Sequence, residues 1–317
     1  MAYTRRRSRL RSSSSRARKG TRRSARLSRS SAKTRPYRRT YRRRMTKKKI
    51  LNWTSRKKRD TLLQYSNTLA TTGASQTIAQ GAAVVAGGST ALFVFSPTCR
   101  DLTIGSDVNP DFDNTRTSST VYNVGFKERL RYESSSSKPW LHRRICFTSR
   151  SKIWRTPYTS TTGATQARSP YYEIGGGTAV GFTRLWANMS VNNEASPIAT
   201  IYEDIFQGKK DKDWSDVISA KFDTSYYDLK FDRTWILKPN NGSTILSNRS
   251  LYHPMNQNMV YDDEEDGGLQ GESFFASNSR VGMGDYLVVD IFQPHAAAAA
   301  TDLLKITSSS VMYWHEK

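Results

Sequence analysis

The sequence predicts an all-β protein: an eight-stranded antiparallel jelly-roll sandwich with a disordered basic N-terminal arm and one short helix in a loop. Three observations predict it. Beyond residue 60 the dominant hydropathic period is two, only one stretch has helical periodicity, and the first 59 residues hold 26 of the 50 lysines and arginines without one aspartate or glutamate. The chain therefore reads as an arm over residues 1–59 and one large domain over 60–317. The domain keeps 24 basic against 27 acidic residues, so the overall +23 belongs to the arm.

The arm contains the basic clusters Arg5-Arg6-Arg7, Arg22-Arg23, Arg38-Arg39, Arg42-Arg43-Arg44, Lys47-Lys48-Lys49 and Arg56-Lys57-Lys58-Arg59, with almost no aliphatic side chains. Ordering backbone costs on the order of 1–2 kcal/mol per residue, and nothing apolar here offsets that cost, so disorder is expected. An extended chain with a cation at nearly every second position neutralises phosphates and releases counterions whatever the base sequence. Tyr37, Tyr41 and Trp53 are interleaved with the cations. Trp53 either stacks on an unpaired base or packs where the arm meets the domain. Arg38, Arg39, Arg42, Arg43, Arg44, Lys47, Lys48 and Lys49 also form clusters of the type read by nuclear import receptors.

Eight strand candidates follow the arm: Thr61–Tyr65, Leu92–Phe95, Tyr122–Tyr132, Ile145–Phe147, Tyr227–Leu237, Leu287–Phe292, Leu303–Ile306 and Val311–Trp314. In the third, Tyr122, Val124, Phe126, Glu128, Leu130 and Tyr132 alternate with Asn123, Gly125, Lys127, Arg129 and Arg131. One face of that strand is therefore basic, and Lys127, Arg129 and Arg131, with Arg143 and Arg144 in the next strand, are candidate nucleic-acid contacts; the alternation does not say which way the face points. In the fifth, Tyr227, Leu229, Phe231, Arg233, Trp235 and Leu237 share a face before Pro239-Asn240-Asn241-Gly242 closes the strand as a turn. The helix is expected where Ile198, Ile201, Tyr202, Ile205 and Phe206 recur at helical spacing behind Ser196 as N-cap and Pro197 at the first helical position, with Gly208 as terminator. Many strands, one short helix and loops rich in Ser, Thr, Gly and Asn together point to the two-sheet sandwich.

No catalytic or metal site is legible. His142, His253, His295 and His315 are far apart in sequence, Cys99 and Cys146 lie in no zinc-type spacing, and the glycine-serine-glycine signature of a nucleophile elbow is missing. Gly175-Gly176-Gly177 and Gly282-Met283-Gly284 read as a loop and as a bend leading into a strand rather than as phosphate loops, since no Gly-Lys-Ser/Thr follows. The acidic run Asp262 to Asp266 lacks the alternating ligands of an EF-hand and reads as a solvated tip. No cofactor is expected. No signal peptide or spanning segment is legible, so synthesis inside the cell without a membrane partner is the expectation. The Asn-x-Ser/Thr triplets at Asn52, Asn188, Asn241 and Asn248 are then chance matches.

At Lys47 to Asn67 the chain reads KKKILNWTSRKKRDTLLQYSN, and near its end DYLVVDIFQPHAAAAATDLLKITSSSVMYW. The first segment resembles the junction of arm and first strand in the capsid proteins of genomoviruses, circular single-stranded DNA viruses related to geminiviruses. The second is similar to the last two jelly-roll strands of geminivirus coat proteins. The resemblance implies a sole coat protein, a T=1 icosahedral shell of about 60 identical chains, arms turned inward on viral single-stranded DNA, and residence in the virion and the host nucleus, reached through a host import receptor. The cysteine and histidine spacing suggested as a zinc finger in some geminivirus coat proteins is not found here, which leaves DNA contact to charge and stacking. A chromatin or ribosomal protein with a basic tail is the alternative. Such proteins usually spread positive charge over the folded part as well, whereas this domain is slightly acidic.

Overall fold

A computed structural model describes residues 45–102, 112–155, 170–174, 181–192, 195–239 and 242–317. The chain divides into units Met1–Thr46 and Lys47–Lys317. The disorder expected of residues 1–44 and the loop reading of Gly175-Gly176-Gly177 fall outside the described residues.

The folded unit begins before residue 60. Lys47–Thr54 is a helix, α1, built from residues without a glycine or proline, and it ends where Thr54 Oγ1 donates back to the Ile50 carbonyl at 3.1 Å. Arg56–Arg59 form the start of the first strand, so residues 47–59 are regular structure rather than the end of a disordered arm.

The strands run β1 (Arg56–Thr68), β2 (Ser75–Gln80), β3 (Ala83–Ala86), β4 (Ala91–Phe95), β5 (Thr120–Ser134), β6 (Trp140–Ser149), β7 (Glu173–Ile174) and β8 (Gly181–Trp186). After the helix α2 (Ala195–Ile205) come β9 (Asp228–Leu237), β10 (Leu246–Val260), β11 (Glu265–Asp266), β12 (Leu269–Gln270), β13 (Asp285–Pro294) and β14 (Leu303–Glu316). The protein is mostly β, in two main sheets. One has the order β10-β5-β14-β1-β8-β7, with β2 on β1 and β3 on β14; the other has the order β4-β13-β6-β9. β11 and β12 pair only with each other.

Strands outnumber the eight expected, and one pairing, β1 with β8, is parallel rather than antiparallel. Leu303–Ile306 and Val311–Trp314, expected as two strands, are one continuous β14, because Thr307 to Ser310 keep the alternation across a polar stretch. α2 begins at Ala195, one residue before the expected cap Ser196, and Gly208 at φ +87 turns the chain after it.

In β5 the expected alternation holds only from Phe126 onward. Val121, Asn123 and Gly125 are buried before that point, and Phe126, Glu128, Leu130 and Tyr132 after it. Gly125 pairs with Tyr313 and Asn123 with Trp314, so Val124 is an extra residue, and a one-residue bulge exchanges the two faces of a strand.

The two sheets enclose two apolar clusters. One contains Phe126, Val288, Met312 and Trp314; the other contains Leu130, Tyr132, Trp186 and Phe292. A third lies on the far side of the four-stranded sheet, where Leu92, Val94, Ile145, Phe147, Leu287, Val289 and Ile291 meet Ile201, Tyr202 and Ile205 of α2. That sheet is thus covered on both faces, which is why β13 reads as a nearly continuous apolar run.

A layer of charge separates the two inter-sheet clusters. Arg144 donates to both oxygens of Asp290, from Nε at 2.7 Å and Nη2 at 2.8 Å, and its Nη2 lies 2.6 Å from Glu128 Oε2. Arg184 donates from Nε to Glu128 Oε1 at 2.7 Å and from Nη2 to Asp290 Oδ2 at 3.2 Å. All four side chains are essentially inaccessible, and their charges cancel. Burial alone would raise the Asp290 carboxyl; Arg144 and the His142 hydrogen bond outweigh it and hold the group well below the usual range. His142 Nε2 lies 2.7 Å from Asp290 Oδ1 and donates to it, which leaves Nδ1 to accept the Tyr132 hydroxyl at 3.0 Å.

Removing one member of this layer strands a buried charge. Arg184→Met is expected to destabilise the protein by about 3–5 kcal/mol in denaturant unfolding, whereas Arg129→Gln on the open surface should stay within about 0.5 kcal/mol. The layer also sets an acid limit. His253 is pushed down to about 4 by burial and then by Arg144, below its ordinary 6.5. The unfolded chain therefore takes up a proton that the folded chain refuses. Stability is complete above pH ~6.5 and lost as pH falls towards 4, by on the order of 3 kcal/mol. Unfolding of His253→Gln across that range should show a flatter pH dependence; an unchanged slope would exclude His253 as its source.

Candidate nucleic-acid interface

Among the described residues only one face of the larger sheet is packed. Its other face, over β1, β14, β5 and β10, carries the side chains left outward by the alternation. Cross-strand register places them in rows, since paired residues point the same way. Lys57 of β1 pairs with His315 of β14, which pairs with Tyr122 of β5; Arg59 pairs with Tyr313, and Tyr313 with Gly125. The next rows are Thr61, Val311, Lys127 and Tyr252; then Ser309, Arg129 and Ser250; then Thr307, Arg131 and Asn248; then Lys305, Glu133 and Leu246.

Lys57, Arg59, Lys127, Arg129, Arg131 and Lys305 therefore share one surface with Tyr122, Tyr252, Tyr313 and His315. Glu133 is the sole carboxylate in these rows, 3.0 Å from Arg131 and 3.4 Å from Lys305. Lys57, Arg59, Lys127 and Arg129 make no ion pair among the described residues. Tyr122 and His315 are neighbours at 6.0 Å between ring centroids, and burial followed by the Lys57 charge keeps His315 below its ordinary value and therefore neutral near pH 7. Tyr252 lies across Gly125, where a β-carbon would stand 2.7 Å from its hydroxyl, so the glycine is what lets this ring lie against the sheet. Tyr252 is half exposed. Cations that track a phosphodiester chain, with rings between them for bases, are the elements of a sequence-tolerant single-strand surface.

Of the residues the sequence singled out, Lys127, Arg129, Arg131, Lys57 and Arg59 come together on this face. Arg56 is exposed on the opposite side of β1. Lys47, Lys49 and Trp53 lie on α1; Trp53 is 68% exposed, with the Lys49 ammonium 5.3 Å above its ring. The side chain of Lys48 and the cations from Arg5 to Arg44 fall outside the described residues.

Three expected contacts are structural instead. Lys58 is buried, with Nζ 3.0 Å from Glu316 Oε2 and donating to the Thr115 carbonyl at 2.8 Å. Arg144 belongs to the inter-sheet charge layer. Arg143 grips both oxygens of Asp232, at 3.0 and 2.7 Å, and donates from Nη1 to the carbonyls of Val217 and Ala220, tying down the segment after α2. The cause is common to both β6 arginines: that strand is covered on both faces over their length, so neither side chain reaches solvent.

The remaining motifs are structural. Cys99 and Cys146 are free and buried, and burial raises both thiols, Cys146 to about 12. Gly284, at φ +80, forms the bend before β13, and a β-carbon there would meet the Ser149 carbonyl at 2.6 Å. In the acidic run, Glu264 and Glu265 are exposed, but Asp263 is not part of a solvated tip: its carboxylate is buried, 2.6 Å from Arg116 Nη1.

Sequence reasoning missed Tyr252, Tyr313, His315 and Lys305. Tyr313 and His315 were readable as the odd positions of β14. Tyr252 was not, because β10 carries Arg249 and His253 on its inward side and hides its own alternation.

No helix among the described residues is long and apolar enough to cross a membrane. No known protein family matches the chain, and no curated protein matches it.

If the open face binds single-stranded DNA, replacing Lys127, Arg129 and Arg131 with Gln should weaken binding and lower the slope of log K against log salt by about 0.7 for each phosphate no longer neutralised. Arg143→Gln should cost stability and leave that slope unchanged. Fluorescence titrations at several salt concentrations distinguish the two; an unaltered slope in the triple variant would reject this face as the DNA-binding surface.

Proposed function

We propose that the protein is a viral capsid subunit that assembles into an icosahedral shell and packages circular single-stranded DNA through its basic arm and the open sheet face. The observation that carries this reading is the partition of charge. Residues 1–46 hold 19 cations and no acid and lead into a folded unit, residues 47–317, with 31 basic and 27 acidic residues, and one sheet face of that unit gathers six cations around aromatic rings against a single carboxylate. A container needs that division, with nucleic acid on one side and walls that associate with one another elsewhere.

The connectivity supports the same reading. Along the chain, β1, β4, β5, β6, β9, β10, β13 and β14 fall into two four-strand sets, β1-β14-β5-β10 and β4-β13-β6-β9, antiparallel within each. We read this order as that of a jelly roll, a fold common in virus shells. The further strands β2, β3, β7 and β8 extend the first set. The role is structural rather than catalytic, and the resemblance to genomovirus capsid proteins in the segments at Lys47 to Asn67 and Asp285 to Trp314 points the same way.

With about 60 chains residues 1–46 supply about 1140 positive charges, to which the open-face cations add, and with incomplete neutralisation this suits roughly two thousand nucleotides of single strand. Full-length protein is expected to sediment as a megadalton particle containing DNA of that size. Deleting residues 2–44 leaves the folded unit whole and should give empty or unassembled protein; full-length DNA still packaged by the truncated chain would overturn the reading. The arm is also proposed as the nuclear import signal. Residues 1–60 fused to a reporter too large for passive diffusion should collect in nuclei, and should fail to once Arg38, Arg39, Arg42, Arg43, Arg44, Lys47, Lys48 and Lys49 are changed to Ala.

A further inference from the structure

β9 and β10 are consecutive in the chain, and each is the last strand of its sheet among the described residues, so both leave one row of backbone donors and acceptors without a strand partner there. Their inward side chains meet at this open side of the sandwich. Register puts Arg233 and Trp235 of β9 beside Arg144 and His142 of β6, and Arg249 of β10 beside Leu130 of β5. The Arg249 guanidinium stacks 4.2 Å from the Trp235 ring centroid, and that of Arg233 lies 5.6 Å from the same ring.

Neither arginine has an ion-pair partner among the described residues, and Nη1 of Arg249 is buried without any hydrogen bond. The nearby carboxylates, Glu128 and Asp290, are committed to Arg144 and Arg184. Two like charges therefore share one tryptophan with no anion between them, an arrangement that disfavours the folded chain alone. Burial, with Arg233 and Arg144 adding to it, lowers the Arg249 pKa, which is the electrostatic sign of that missing anion.

The setting decides what class of anion fits. Ile236, next to Trp235 on β9, is 67% exposed. Tryptophan and arginine in a notch flanked by open strand edges are the composition of a protein interface rather than of a phosphate track. The chain also carries the complement. Glu264 and Glu265 are exposed, and neither makes an ion pair among the described residues.

We infer that the Arg233–Trp235–Arg249 notch between β9 and β10 is a subunit contact that receives the acidic Glu264–Glu265 segment of a second copy of this chain. The inference rests on the self-association part of the proposed function and names the surfaces that carry it. Two carboxylates on two guanidiniums would satisfy Arg249 Nη1 and remove the repulsion, so the contact forms only between copies.

A charge exchange tests it with the full-length protein in velocity sedimentation. Arg249→Glu and the double variant Glu264→Arg, Glu265→Arg should each lower the associated fraction at least tenfold, and the variant combining both exchanges should recover a third or more of wild-type association. Glu264 and Glu265 are exposed and unpaired, so their reversal leaves the fold intact even if Arg249→Glu does not fold; wild-type association of the Glu264 and Glu265 variant overturns the inference. So does a combined variant, shown by far-ultraviolet circular dichroism to be folded, that associates no better than the single exchanges. A wild-type protein that associates only into small oligomers would overturn the shell reading while leaving the exchange readable, and a strictly monomeric wild type would overturn both.

Discussion

The four-charge layer of Glu128, Arg144, Arg184 and Asp290 is the constraint on which the two sheets depend. Its members come from β5, β6, β8 and β13, two strands from each sheet, and every one is shielded from water. Such a layer adds little net stability over apolar packing of the same volume, because desolvation consumes most of the Coulombic gain. Its effect is selective. A one-residue slip of β5 or β13 would turn Glu128 or Asp290 away from the arginines and leave buried charge unpaired, whereas an apolar layer would tolerate the slip at a smaller cost. The bulge at Val124 belongs to the same constraint, since without the extra residue Val121 and Glu128 could not both face inward.

Much of the architecture was legible because most strands bury one face and expose the other. β5 and β9 announced themselves by alternation, and β13 by an apolar run that fits a strand covered on both sides. β10 escaped although it is 15 residues long, because the inward positions Arg249 and His253 are polar and the outward positions Leu246 and Tyr252 are not, which inverts the pattern. β2, β3, β7 and β8 escaped because they are short. The basic face was visible in β5, but alternation within one strand cannot say that Lys57, Arg59 and Lys305 lie on the same surface. That information resides in the pairing register, which depends on contacts remote in sequence. For the same reason Arg143 and Arg144 read as surface cations. Their partners Asp232, Asp290 and Glu128 are 89, 146 and 16 positions away.

The outer faces of the two sheets differ because only one is covered. α2 and the segment through Phe222 cover the smaller sheet, and Arg143 holds that cover down through two carbonyls. Among the described residues the larger sheet has no cover over β1, β14, β5 and β10, and its outward residues there are mostly polar, basic or tyrosine, with Val311 and Leu246 among them. A sheet left bare for solvent alone has no need of a one-sided charge. Six cations against one carboxylate repel one another, and an anionic partner relieves that repulsion.

The same reasoning separates the two unsatisfied regions of the domain by the partner each would accept. On the open sheet face the cations are long, solvated and spread over four strands, so they suit a flexible polyanion held by many weak, salt-sensitive contacts. In the notch between β9 and β10 two guanidiniums converge on one tryptophan, that of Arg249 partly withdrawn from water, beside two open strand edges, so a compact anion carried on a protein surface fits and a sliding backbone does not. A chain with both kinds of site is stabilised by associating with nucleic acid on one surface and with its own copies on another. Because the surfaces lie on different parts of the sandwich, occupancy of one leaves the other open.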